Sequence, residues 1–132
     1  VQFDTPIISD QNYAVVATTS TASGQIKIMS PGLYRVTYNM GLQKTLGATA
    51  QTVTATAQKN GGGVNGGTCY ASLNSTTANL QSLGTSFLAN FTSGDLLQVA
   101  VLSSAAAANN VNIVNNTANL IIEKIGPARN AF

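Results

Sequence analysis

Histidine and tryptophan are absent from this chain, and cysteine occurs once. Without histidine there is no ordinary general base near neutral pH, no usual activator of a nucleophilic serine or cysteine, and no imidazole for a transition metal. The single cysteine, Cys69, excludes an intrachain disulfide and any cysteine-based zinc site, so neither staple accounts for stability. Charge is scarce as well: ionisable residues form 8% of the sequence, against roughly 25% in ordinary soluble domains. The six basic residues, Lys27, Arg35, Lys44, Lys59, Lys124 and Arg129, are scattered singly and form no run that tracks a phosphate backbone. Nucleic acid is therefore not an expected partner. No stretch of about 18 apolar residues occurs, and no basic region followed by an apolar block opens the chain. No membrane insertion is expected.

The four acids, Asp4, Asp10, Asp95 and Glu123, lie far apart in sequence, whereas a glycosidase needs two carboxyl groups within roughly 5–10 Å. Asp95 follows Gly94 at the start of an apolar strand, where an aspartate caps a turn. Glu123, next to Lys124 on the last strand, suits a solvent-facing or cross-strand ion pair. Cys69, beside Tyr70, reads as a small buried hydrophobe. No catalytic, cofactor or transition-metal site is expected. A hard cation held by carbonyl and carboxylate oxygens is the one metal chemistry the composition leaves open.

What the chain does contain is period-two alternation. Residues 33–42 place Tyr34, Val36, Tyr38, Met40 and Leu42 on one face and Arg35, Thr37 and Asn39 on the other. Upstream, Ser30-Pro31-Gly32 is a turn signal after a short alternating run at 25–29. Residues 48–59 set Val53, Ala55 and Ala57 against Thr52, Thr54 and Thr56, and the β-branched threonines favour a strand. Further strands are expected over 70–74, 85–91, 96–102, 111–115 and 118–125, divided by Gly, Asn, Ser or Asp clusters. The alanines within 103–108 are too few to nucleate a helix, and the segment reads as a loop. Eight or nine short strands without helical crossovers indicate one antiparallel sandwich or barrel, and a jelly roll fits the count.

Two segments exceed the length a tight hairpin needs. Residues 60–67, Asn60-Gly61-Gly62-Gly63-Val64-Asn65-Gly66-Gly67, are expected to form a long loop because glycine loses so much backbone entropy in regular structure. They lack the Lys-Ser/Thr ending and the following helix of a phosphate cradle. Residues 103–110 are the second. Long loops on a rigid sandwich commonly carry recognition, which makes Asn60, Asn65, Asn109 and Asn110 the candidate ligand-binding residues. Asn74, Asn90 and Asn115 each open an Asn-x-Ser/Thr sequon, a pattern that arises by chance in so Asn- and Thr-rich a chain.

Three motifs, in order, carry a resemblance. The segment from Ser30 to Tyr38, with Gly32 and Tyr34, resembles the Pro-Gly-x-Tyr strand of the superfamily of tumour-necrosis-factor-like and complement globular heads. The segment from Phe91 to Val99, with Gly94 and Asp95, is similar to its Gly-Asp turn and apolar strand, and Asn119 to Ile125 resembles the closing strand of bacterial members, notably the heads of Bacillus collagen-like spore-surface glycoproteins. Together they frame residues 25–125. The resemblance implies a non-catalytic jelly roll that forms a homotrimer, often at the tip of a stalk. The lack of Trp and the short N-terminal strand region favour a microbial or viral member over an animal one.

The expected organisation is thus a single jelly-roll head domain over residues 1–132, the C-terminal part of a longer stalked protein. Two attachment roles follow from the resemblance: a virion-surface spike or fibre head that binds a host-cell receptor or glycan and joins stalk or capsid vertex proteins, or a spore-surface head with an adhesive or protective role. A carbohydrate-active jelly-roll enzyme is a third reading, from a different class, which the missing histidine disfavours.

Overall fold

The computed structural model describes residues 13–15, 25–45, 50–74, 80–104, 111–114 and 117–129. They form nine strands: β1 (Tyr13–Val15), β2 (Ile26–Ile28), β3 (Gly32–Lys44), β4 (Gln51–Lys59), β5 (Gly62–Leu73), β6 (Leu80–Phe91), β7 (Leu96–Ser103), β8 (Val111–Ile113) and β9 (Asn119–Gly126). Every pairing is antiparallel. The first sheet runs β1-β2-β7-β4-β5; in the second, β3 pairs β6 along one edge and β9 and β8 in succession along the other. The loop at 103–108 falls only partly on described residues: Ser103 ends β7, Ser104 follows it, and Asn109 and Asn110 lie outside them.

The long central strand β3 organises the second sheet. Its alternation is complete: Tyr34, Val36, Tyr38, Met40, Leu42 and Lys44 are buried, while Arg35 and Asn39 are exposed on the opposite face. From the first sheet Ile26, Ile28, Val53, Ala55, Ala57, Leu97 and Val99 close onto them, and Leu83, Phe87 and Phe91 join from β6. One core results. Alanine at 55 and 57 leaves room for the large β3 side chains opposite, so small and large residues interdigitate. Tyr34 packs edge-on to Phe91, with ring centroids 5.6 Å apart, and donates its hydroxyl to the Ser30 carbonyl at 2.7 Å.

The glycine-rich segment is not a long loop. Lys59 pairs Gly62 directly, leaving the two-residue turn Asn60-Gly61 with φ of 52° and 86°. Positive φ at both positions defines the turn whose twist matches that of the flanking strands, and Asn-Gly is its preferred sequence. The glycines beyond it belong to β5. Thr56 pairs Thr68 and Gln58 pairs Gly63, so Ala57 alone faces Val64 to Gly67, and the strand bulges there. The bulge is pressed into the core: a Cβ on Gly67 would stand 3.0 Å from both Ala57 Cβ and the Val64 carbonyl oxygen. An added side chain would crowd Ala57 and the Val64 carbonyl more tightly than ordinary contact, so glycine suits this position, and the entropy cost that argued for a loop is met by packing.

Strand β6 begins at Leu80, five residues before the alternation becomes clear at Thr85, because its partner β3 continues to Lys44 and supplies hydrogen-bonding groups as far as the Gln43–Leu80 pair. Gly32, from the Pro-Gly turn, allows a close approach of β9: a Cβ there would meet the Gly126 oxygen at 2.6 Å.

Val36 is fully buried, whereas Thr37 points to the outer face and hydrogen-bonds Ser86 at 2.7 Å. Val36→Asp is expected to abolish folding, at a cost of several kcal/mol for an unpaired buried charge. Thr37→Asp should remain folded. Circular dichroism with urea titration of both variants checks the register, and tolerance of Val36→Asp alone would contradict it.

Candidate functional site

Of the candidate binding residues, Asn60 is the most fully described, and its polar atoms are engaged within the protein. Its side-chain amide donates to Asp95 Oδ1 at 2.8 Å, its carbonyl Oδ1 accepts from the Leu96 amide at 2.9 Å, and its backbone amide donates to the Leu96 carbonyl at 2.9 Å. Asp95 Oδ2 in turn accepts the Thr92 amide at 2.8 Å, the turn cap its position after Gly94 predicts. Gly94 has φ of 94° and donates its amide to Ile28. Asn60 and Asp95, 35 residues apart in sequence, thus clamp the β4–β5 turn to the β6–β7 turn. Burial works against the Asp95 carboxylate, yet the Thr92 amide, the Asn60 side chain and the Lys59 charge outweigh it and hold its carboxyl below the usual carboxylate range.

Asn65 is exposed on the β5 bulge. It lines an open groove of about 360 Å³ with Lys59, Val64, Leu88 and Asn90. The Lys59 ammonium donates to the Asn90 carbonyl at 3.2 Å and lies 5.8 Å from the Phe91 ring centroid. A second groove, of about 430 Å³, is lined by Leu80, Gln81, Ser82, Val114 and Thr117. Neither groove is lined by a carboxylate or a cysteine, so what they offer a ligand is hydrogen bonding and apolar contact. Among the described residues no three metal-ligating side chains converge. Asp4 and Asp10 lie outside those residues. Glu123 pairs across strands with Arg35 at 3.9 Å, both half exposed, and Lys124 donates to the Ser30 hydroxyl at 2.7 Å.

The structure also brings out residues that residue type alone does not single out. Asn90 holds the segment after β9: its Oδ1 accepts the Arg129 amide at 2.9 Å and its side-chain amide donates to the Arg129 carbonyl, as a paired strand would. This leaves the sequon amide of Asn90 engaged. Lys44 is fully buried and donates to the Asn74 carbonyl at 3.1 Å. Its even-numbered place in the β3 alternation is the signal that marks it as buried. Cys69 is half-buried on β5, 3.4 Å from the Tyr38 hydroxyl.

No protein-family model and no curated protein matches the chain. Its chemistry therefore rests on its own geometry. That geometry is a nearly uncharged scaffold with clamped turns, exposed asparagines and open grooves.

Asn60→Gly keeps the positive φ and removes the clamp, and it is expected to cost about 1 kcal/mol in urea unfolding. The depressed Asp95 carboxyl contributes stability that is complete above the unfolded carboxylate value, near 4, and is lost as pH falls through the lower folded value. Asp95→Asn should therefore flatten the acid limb of the stability–pH curve while changing its slope little above pH about 5. An unchanged acid limb would mean that the clamp does not hold the carboxylate.

Proposed function

We propose that this chain is the non-enzymatic head of a trimeric surface spike, of the viral type, that attaches its particle to a host cell. The strand order carries the reading. The chain passes back and forth between the sheets, with β2, β4, β5 and β7 in one and β3, β6, β8 and β9 in the other. That interleaving is what a jelly roll produces, and it agrees with the fold implied by the three motifs.

Trimer formation is supported by apolar surface left open on the second sheet. Leu88 and Ile121 are 49% and 47% exposed, and both stand on its outer face through their pairing with Arg35 and Thr37. On the inner face Leu120, Ile122, Val111 and Ile113 are only partly covered by the first sheet. Much of the remaining apolar content is alanine, and each buried methyl offsets little of the roughly 1.5 kcal/mol of ordering entropy per residue. Contact between subunits supplies further burial. Attachment suits a surface with so few charges, where asparagine, threonine and backbone groups provide adaptable hydrogen bonds.

Light scattering of the purified chain at micromolar concentration is expected to give three times the chain mass. Ile121→Lys should yield a folded species of lower mass. A wild-type monomer would remove the trimeric head from consideration. Capsid genes beside the coding sequence are expected, whereas sporulation genes there would transfer the head to a spore surface.

A further inference from the structure

We infer that the outer face of the first sheet, centred on the row Tyr70, Thr54 and Leu102, binds a neutral saccharide chain. The inference rests on the attachment reading and names the chemistry of the surface to be recognised. Leu102 and Tyr70 are the most exposed large apolar side chains among the described residues, at 73% and 68%. Register sets both opposite Thr54, one from β7 and one from β5, so the two stand on one face with a threonine between them. With neighbouring strands about 4.8 Å apart, they are separated by about 10 Å across the sheet, a span that accommodates two successive sugar rings.

The rows beside this one carry hydroxyls and amides, with the small Ala100 and Gly63 among them. Thr56 stands between Ala100 and Thr68, and the Thr68 hydroxyl donates to it at 3.3 Å. In the next row the Gln98 amide donates to Gln58 at 2.7 Å, and Gln25 donates to Gln98 at 3.3 Å. On the far side Thr52 pairs Ser72. No ionised side chain stands on the outer face of β4, β5 or β7.

This composition matches one class of ligand. A sugar ring has an apolar C–H face, which packs on an exposed aromatic ring such as Tyr70. Its rim of hydroxyls both gives and takes hydrogen bonds, as threonine and glutamine do. The one ionised side chain on the described part of this face is Lys27, which stands opposite Leu96 on β2, six residues along β7 from Leu102, so an anionic glycan or a nucleic acid finds no countercharge beside Tyr70 and Leu102. A protein partner would require a larger contiguous apolar centre than two residues separated by a threonine.

The test titrates the full chain with three neutral hexasaccharides, cellohexaose, chitohexaose and maltohexaose, and with sialyllactose as the anionic comparison. Amide shifts by NMR locate the contact and calorimetry measures its strength. At least one hexasaccharide is expected to shift amides within 54–58, 68–72 and 98–102. Tyr70→Ala should weaken that binding by about tenfold or more, and Tyr70→Phe, which keeps the ring, by no more than about threefold. Both substitutions are at an exposed position and should leave the melting temperature unchanged. The inference fails if no neutral hexasaccharide shifts these amides, if Tyr70→Ala binds like the wild type, or if sialyllactose binds equally well at the same residues. Mass measured on the same sample separates the two readings: a trimer without saccharide binding removes this inference alone, and a monomer that binds removes the trimeric head alone.

Discussion

A single buried phenol joins the two sheets. Tyr38, at the middle of β3, directs its hydroxyl at the Ala55 carbonyl on β4, 3.1 Å away, and at the Gly67 carbonyl in the β5 bulge, 2.8 Å away. Burial, reinforced by the neighbouring Cys69, pushes this phenol well above its ordinary value, so it is a neutral donor at neutral pH. One O–H group thus reaches the carbonyl of Gly67, which the bulge leaves out of the β4–β5 register, and that of Ala55 on the facing strand, inside a core where an unmade hydrogen bond costs more than a made one contributes. The absence of a Cβ at Gly67 and the small side chain of Ala57 follow from the same requirement, because the bulge must lie against the core for its carbonyl to reach the phenol. The Thr85 hydroxyl donates to Gly66 at 3.2 Å from β6 and fixes the other side of the bulge.

Those buried hydrogen bonds help explain how so few charges suffice outside. The turns at one end are fastened by the Asn60–Asp95 clamp, and the segment after β9 is fastened by Asn90. Amides thus perform the cross-linking for which many domains use ion pairs or disulfides. The outer faces are left free to carry threonine, glutamine and isolated apolar residues. Those two faces differ in character: the second sheet exposes the apolar Leu88 and Ile121, and the first carries hydroxyls and amides around Tyr70.

The sequence reveals the fold where alternation is strict. The β3 pattern from Tyr34 to Leu42 and the Val53-Ala55-Ala57 face of β4 are readable directly, because burial on one face imposes period two. The β5 bulge is not readable, since composition alone cannot distinguish glycines that free a loop from glycines that admit a neighbouring chain. The first half of β6 is hidden for a related reason: Gln81, Ser82 and Gly84 show no apolar period, and only pairing with β3 makes them a strand. Among candidate site residues, the cap at Asp95 follows from local turn chemistry. Its tie to Asn60 does not, because the contact spans 35 positions. Asn109 and Asn110 lie outside the described residues.

The Tyr38 hydroxyl holds the bulge and thereby the two sheets. Tyr38→Phe removes one oxygen and leaves the ring in place, so hydrogen exchange on this variant, read amide by amide, is the most direct measurement. The expected result is a loss of about 1–3 kcal/mol in global stability, with the largest drop in protection at amides 66–71 and 55–57. Protection and stability equal to those of the wild type would show that the Tyr38 hydroxyl does not hold the sheets together.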